Sequence, residues 1–351
     1  MRFPPLDTAH YPPPCQPGDR VAVVSPSSAL AGEFPHVHDL GLRRLRESFD
    51  LEPVEYPSTR TQGSPEERAR DLMDAFTDPT IAAVMATIGG DDQITVLPHL
   101  DMDLIAAHPK RFFGYSDNTN LLNALVHSGV VGFHGGSTMV HLGRPGALHP
   151  MSERSLRAAV FGVQHFPIEP AESFANHPLA WTDPSNLERT QPMRPASPWE
   201  WSGTAGRISA RLWGGCLEIL DWTAQVGRWI APAEHYAGSV LFMETSEEHP
   251  SAEYVFRTLR NLGERGILGV LAGVLAARPN SEPMGTSVSD DDVATYEREQ
   301  AEALREAVEA YNPGTLVVTG LEAGHTDPQV ILPLGGVVDI DGDTRTIHVR
   351  Y

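Results

Sequence analysis

From Arg20 to Ser25 the chain reads RVAVVS, a short β-branched run ending at Ser-Pro, which suits a buried strand closing into a turn. Apolar residues then recur at Leu40, Leu42, Leu45 and Phe49 with roughly helical spacing and predict a helix over His38 to Phe49. A second periodic segment, Pro65 to Phe76, has its proline near the start, where a helix tolerates it. Ile81 to Ile88 is again strand-like. The alternation continues through Arg111 to Tyr115 (strand), Thr119 to His127 (helix) and Val130 to Phe133 (strand). Strands and helices exchanging at this interval predict a doubly wound, largely parallel sheet, whose ligands bind beyond the carboxyl ends of the strands.

Between Pro167 and Pro198 the rhythm stops: Pro, Asn, Thr and Ser dominate and neither period is sustained. A loop this long is usually functional or disordered, and its aromatics Phe174 and Trp181, with Trp199 and Trp201 just after it, argue against plain disorder. Strand-like runs resume at Ser239 to Met243, Ile267 to Ala276, Thr315 to Val318, Val330 to Leu332 and Thr346 to Val349. Charged helical stretches, Ala252 to Leu262 and Asp291 to Tyr311, lie between some of them. The expected fold class is therefore α/β: an N-terminal doubly wound parallel-sheet domain (1–165), an aromatic-containing linker (166–205) and a smaller β-rich α/β domain (206–351) ending in a hairpin at Asp341-Gly342.

Composition narrows the classes of function. A chain of 351 residues with 41% hydrophobic content can bury a large core and is long enough to divide into two domains. Its 26 Lys and Arg against 46 Asp and Glu give a net charge of −20, a field that repels phosphate backbones and anionic lipid surfaces, so neither nucleic acid nor membrane is an expected partner. Cys15 and Cys216 are too few and too far apart for a disulfide framework or a paired-cysteine metal motif. Without an apolar leader or a membrane-length apolar run, the expected location is the cytoplasm.

Candidate chemistry begins at Ser116. In Arg111-Phe-Phe-Gly-Tyr-Ser-Asp-Asn it stands after an apolar strand and before a helix, the place of a nucleophile elbow, although Asn118 stands where hydrolase elbows have glycine. The Asp117 N–H is positioned to donate to an oxyanion beside the serine, and Gly89-Gly90, after the strand Ile81 to Ile88, is the candidate second donor. Ser116 also reads as a plain helix N-cap. A nucleophilic serine needs a base and an acid that orients the base. His325, in Gly324-His325-Thr326-Asp327-Pro328, follows a strand-like run, but a loop histidine is equally a solvated one. Glu244 ends the apolar run Gly-Ser-Val-Leu-Phe-Met-Glu, where a buried carboxylate would need a partner and an exposed one would not.

Taken together, Gly18 to Ser28, Gly89-Gly90, Gly114-Tyr-Ser-Asp117, Gly206-Arg207 with Gly214-Gly215, Leu241-Phe-Met-Glu244 and Gly324-His325 resemble, in order and spacing, the LD-carboxypeptidases. That resemblance implies a serine hydrolase with neither metal nor cofactor: Ser116 as nucleophile, His325 as base, Glu244 as its orienting acid, and Gly90 and Asp117 as oxyanion donors. It further implies a homodimer and a small peptide or aminoacyl-nucleotide substrate. The long loop is similar to that of the microcin C immunity branch, whose aromatic side chains stack on adenine, which makes Trp181 the expected stacking residue and Phe174 its support. The alternative is that these aromatics only pin the loop to the core. Murein L,D-peptides are the alternative substrate, and a non-catalytic binding module of this fold the alternative class. The chain departs from the pattern at Cys216, where the family commonly has Asn, and at Thr245-Ser246-Glu247-Glu248, where immunity proteins tend to carry Lys. A carboxylate there opposes phosphate binding.

Overall fold

Four of the apolar runs and one segment the sequence did not mark become parallel neighbours: β1 (Arg20–Val24), β2 (Glu52–Glu55, the unmarked one), β3 (Ile81–Ala86), β4 (Arg111–Gly114) and β5 (Gly132–His134), in the order β5-β4-β3-β1-β2. The structure is a computed structural model and describes residues 5–204 and 206–351. Every residue of β4 and β5 is buried, as expected for strands covered on both faces. Helix Pro35–Phe49 begins with proline, and Pro65–Thr77 begins with a capping box in which Ser64 and Glu67 satisfy each other's backbone N–H groups. Helix Thr119–His127 is buried on every residue and leads away from the β4 carboxyl end.

The second sheet has eight strands. Four parallel ones form its centre: Arg207–Cys216, Val240–Glu244, Gly273–Ala277 and Leu316–Leu321. Antiparallel strands flank them, Glu200–Ser202 beside Leu316–Leu321, and Val337–Asp341, Thr346–Val349 and Phe166–Ile168 beyond Arg207–Cys216. Helices Ala252–Glu264 and Asp290–Tyr311 pack against each other over this half. The parallel-sheet domain followed by a β-rich α/β half is the expected fold class, and Val337–Asp341 with Thr346–Val349 is the expected hairpin.

Several features depart from the sequence reading. Strands Glu52–Glu55 and Arg207–Cys216 and helices Pro150–Phe161 and Leu217–Val226 are not marked by a sustained period, and of the strand expected over Ile267 to Ala276 only Gly273–Ala277 is extended, Leu268–Val270 being a 3₁₀ turn. Leu332–Leu334 lies antiparallel beside β5, so the second half of the chain completes the first half's sheet. The segment read as a long aromatic-containing linker supplies an edge strand at Phe166–Ile168, a two-residue ribbon of Ser173–Phe174 with Arg194–Pro195, and a 3₁₀ turn at Pro184–Glu188. Pairs this short depend on partners distant in sequence, so they leave no local period. The two halves also share one hydrophobic core and are fastened by polar contacts. The Cys216 N–H donates to Thr119 Oγ1 at 3.0 Å, and Asn123 Nδ2 donates to the Gly214 carbonyl at 3.1 Å. Among the described residues no helix is long and apolar enough to cross a membrane.

Candidate active site

The turn after β4 holds Ser116 at φ 61°, a left-handed conformation uncommon for a residue with a side chain. A 3₁₀ turn, Ser116–Asn118, separates strand from helix, and no side-chain cap hydrogen bond is made at either of its ends. The N-cap alternative therefore does not account for this serine. What holds the strained turn is a buried amide and carboxylate network. Asp117 accepts from the Gln93 N–H and from Asn120 Nδ2, each at 2.8 Å, and burial pushes its carboxyl above the ordinary aspartate range. Asn118 donates to the carbonyls of Ile88 and Tyr115, while Gln93 donates from Nε2 to Asn118 Oδ1 and accepts at Oε1 from the Leu121 N–H. Asp117 is thereby structural through its side chain, leaving its backbone N–H as the candidate donor.

Gly89 lies directly against the serine: a Cβ there would come within 2.7 Å of Ser116 Cβ and 2.9 Å of its Oγ, so only glycine fits. Its carbonyl accepts from the Ser28 N–H at 3.2 Å and Ser28 Oγ at 2.8 Å. In a planar trans peptide the Gly90 N–H then points the opposite way, away from Ser28.

Glu244 ends a central strand of the second sheet and is fully buried. Its Oε2 accepts a 2.6 Å hydrogen bond from His325 Nδ1, and its Oε1 lies 3.5 Å from His134 Nε2, at the carboxyl end of β5. Gly324, at φ 77°, lets the loop approach this closely, since a Cβ there would stand 2.6 Å from Glu244 Oε2. Burial alone would raise the Glu244 carboxyl, yet His325 and His134 outweigh it and bring it down to about 2. Burial likewise would depress the His325 imidazole, but Glu244, Glu247 and Glu218 push it up to about 9. The ring of Tyr115, the residue before Ser116, packs edge-on against the His325 imidazole with centroids 5.0 Å apart, bringing the serine turn to the second half's acid and histidine. The outer nitrogen of His325 meets Glu247 Oε2 at 3.1 Å.

The remaining expected residues are placed as follows. Trp181 packs edge-on against Phe34 at 5.7 Å, in a small apolar cluster that includes Met139 and Ile88, the residue preceding Gly89. Phe174, expected as its support, is instead buried to 1% with the Arg278 guanidinium 4.8 Å over its ring, pinning the linker to the core. Cys216 is buried, its thiol is pushed well up by burial, and Sγ contacts Glu218 Oε2 at 3.3 Å, the state of a packed, unreactive cysteine. Gln93, Tyr115, Glu218 and His134 were missed by sequence reading. Of these only His134 left a signal, as a polar residue closing an apolar strand before Gly135-Gly136. Among the described residues no group of three or more His, Cys, Asp or Glu side chains is arranged to hold a metal ion.

Residues 21–135 match the LD-carboxypeptidase N-terminal domain and residues 209–340 the LD-carboxypeptidase C-terminal domain. The microcin C7 self-immunity protein MccF of Escherichia coli is 26% identical over 82% of this chain and 79% of its own length. The probable murein peptide carboxypeptidase of Bacillus subtilis is 27% identical over 95% of this chain and 92% of its own. A structure of an MccF-like protein from Streptococcus pneumoniae in complex with AMP superposes with a TM-score of 0.83 at 25% identity, over 95% of this chain and 99% of that one. With these two matches spanning most of its length, the chain belongs to the LD-carboxypeptidase family.

Proposed function

We propose that the chain is a serine carboxypeptidase that hydrolyses an amide bond through an acyl-enzyme, with Ser116 as nucleophile, His325 as general base and Glu244 as the acid that orients it. The observation that carries this reading is the 2.6 Å bond from His325 Nδ1 to a fully buried Glu244, beside the strained turn that presents Ser116. Ser116 Oγ attacks the scissile carbonyl and its proton passes to His325 Nε2. The N–H groups of Gly90 and Asp117 stabilise the tetrahedral oxyanion. Collapse breaks the C–N bond as His325 protonates the leaving amine, and water, deprotonated by the same imidazole, releases the acyl group and restores the serine.

Two substrate classes follow from different observations. A short peptide of the murein L,D type is the first, because Glu247 places a carboxylate at the outer edge of His325, where a phosphate would be repelled. An aminoacyl-nucleotide conjugate, and with it a role in detoxifying such compounds, is the second, supported by Trp181, which shares an apolar cluster with Ile88, the residue before Gly89. The deciding experiment incubates purified protein with a murein tetrapeptide and, separately, with an aminoacyl sulfamoyl adenosine, and follows products by mass spectrometry. Release of the terminal residue from one of them, absent in Ser116→Ala, supports the reading. Equal turnover by Ser116→Ala would reject it.

A further inference from the structure

His325 has a carboxylate on each ring nitrogen, Glu244 at 2.6 Å on Nδ1 and Glu247 at 3.1 Å on Nε2. Two carboxylates this close to the ring, one hydrogen-bonded to Nδ1 and one in ion-pair contact with Nε2, favour its protonated form, an imidazolium. In that state it cannot take a proton from Ser116. The two acids are held differently. Glu244 has no exposed side-chain surface, whereas Glu247 keeps 43% of its side chain exposed.

The backbone around Glu247 is fastened on both sides. Ser246 donates from its N–H and its Oγ to Glu218 Oε1, at 2.9 and 2.8 Å. Beyond it, His249 stacks on Tyr296 at 3.9 Å, and Tyr296 Oη and Gln300 Nε2 both donate to the Pro250 carbonyl at 2.7 Å. Glu247 is therefore a free side chain on a fixed turn, able to leave His325 by rotation alone.

Leaving costs Coulomb energy unless another cation receives the carboxylate. The groups that face His325 do not supply one: Glu218, Glu244 and Glu247 are acids, and Tyr115 covers one side. His134 lies beyond Glu244, engaged with its other oxygen. Across a cavity of about 40 Å³ stand His141, His177, Asp327 and Arg144, and Arg144 is already paired with Asp327 at 2.8 Å. Water can take up the part-exposed carboxylate, but none of these groups offers it a cation, so a cation that draws it off comes with the substrate.

We propose that Glu247 is a specificity-determining gate, which closes His325 at rest and is drawn off by a leaving group carrying an ammonium or other cation, while leaving groups bearing phosphate are refused. This rests on the reading of Ser116, His325 and Glu244 as the catalytic set, and it names the substrate feature that set selects: a positive charge on the released residue.

The test uses the full chain and peptides that differ only in the residue after the scissile bond: lysine, alanine or phosphoserine. For the wild type, kcat/KM for lysine should exceed that for phosphoserine by about a hundredfold, and Glu247→Gln should bring the ratio to within about tenfold. Glu247→Lys should invert it. Independently of turnover, the His325 imidazole, assigned by its loss in His325→Gln, is titrated by NMR in Ser116→Ala and in Ser116→Ala with Glu247→Gln. Its midpoint should fall in the double variant. An unchanged ranking with peptides still cleaved overturns the gate and leaves the catalytic set standing. If the wild type cleaves none of the peptides, the catalytic reading for peptides fails, and the titration alone decides whether Glu247 closes His325: an unmoved midpoint overturns it.

Discussion

His134 faces Glu244 Oε1 at 3.5 Å, on the opposite oxygen from His325. The contact also joins the halves of the molecule, since His134 ends β5 in the first sheet and Glu244 ends a central strand of the second. Both side chains are fully buried, and a buried carboxylate with one oxygen unpartnered is costly. The His134 ring is fixed edge-on by Phe242 at 4.9 Å and Tyr115 at 5.9 Å. His134→Phe keeps the bulk and removes the ring nitrogen that faces the carboxylate. The expected result is a fall in kcat of roughly 10- to 100-fold with little change in KM, as Glu244 loses the partner that steadies it. His134→Gln should recover part of the loss. Wild-type kcat in the phenylalanine variant would remove His134 from the positioning of the acid.

Ser116 at φ 61° stores strain in the folded state. Ser116→Gly should therefore raise stability to urea by about 1 kcal/mol while abolishing hydrolysis. Ser116→Ala should abolish hydrolysis with substrate binding retained. A glycine variant less stable than the alanine one would show that the turn carries no strain.

The space beside the serine is closed to a single methyl group. Gly89→Ala would place its Cβ 2.7 Å from Ser116 Cβ and 3.3 Å from the Asp117 nitrogen, so the turn has to shift. Activity should drop by at least about a hundredfold, because displacement of a nucleophile and an oxyanion donor by less than an ångström is expensive. Stability, measured by thermal unfolding, should change far less than activity does.

The folded protein should lose stability as alkaline pH is approached. His325 is raised from an ordinary value near 6.5 to about 9, so its imidazolium binds its proton more tightly folded than unfolded. That contribution is fully present below about pH 6.5 and disappears as pH rises through about 9. Glu244, held down to about 2, behaves in the opposite sense: its share is present above the ordinary carboxylate value and is lost only as pH falls toward 2. The melting temperature should decline between pH 6.5 and 9 by more in the wild type than in His325→Gln, which lacks the titrating group.

Trp181 separates the two substrate classes. Trp181→Ala should weaken binding of an aminoacyl sulfamoyl adenosine by about 1 to 3 kcal/mol if the indole stacks on a base. The KM for a murein peptide should stay nearly unchanged. Equal losses for both would make Trp181 a packing residue of the cluster with Phe34 and Met139.

What the sequence determined by itself is local. Apolar periods marked several of the strands and helices, among them Arg20–Val24, Ile81–Ala86 and, at both ends, helix Thr119–His127, because burial on a strand or a helix face repeats every two or 3.6 residues; they did not mark the central strand Arg207–Cys216 or the helices Pro150–Phe161 and Leu217–Val226. The position of Ser116 between strand and helix was legible for the same reason, as were the free glycines around it. Tertiary structure decided the rest. Leu332–Leu334 joins the distant β5, Phe174 goes under Arg278, and Glu244 meets both His325 and His134. These are pairings between segments far apart along the chain, and a hydrogen bond across such a distance imposes no pattern on the residues next to it. The contact of Glu247 with His325 is of that kind: the sequence presents two adjacent acids after a strand, and only the packed turn, anchored through Ser246 on Glu218, sets one of them on the imidazole.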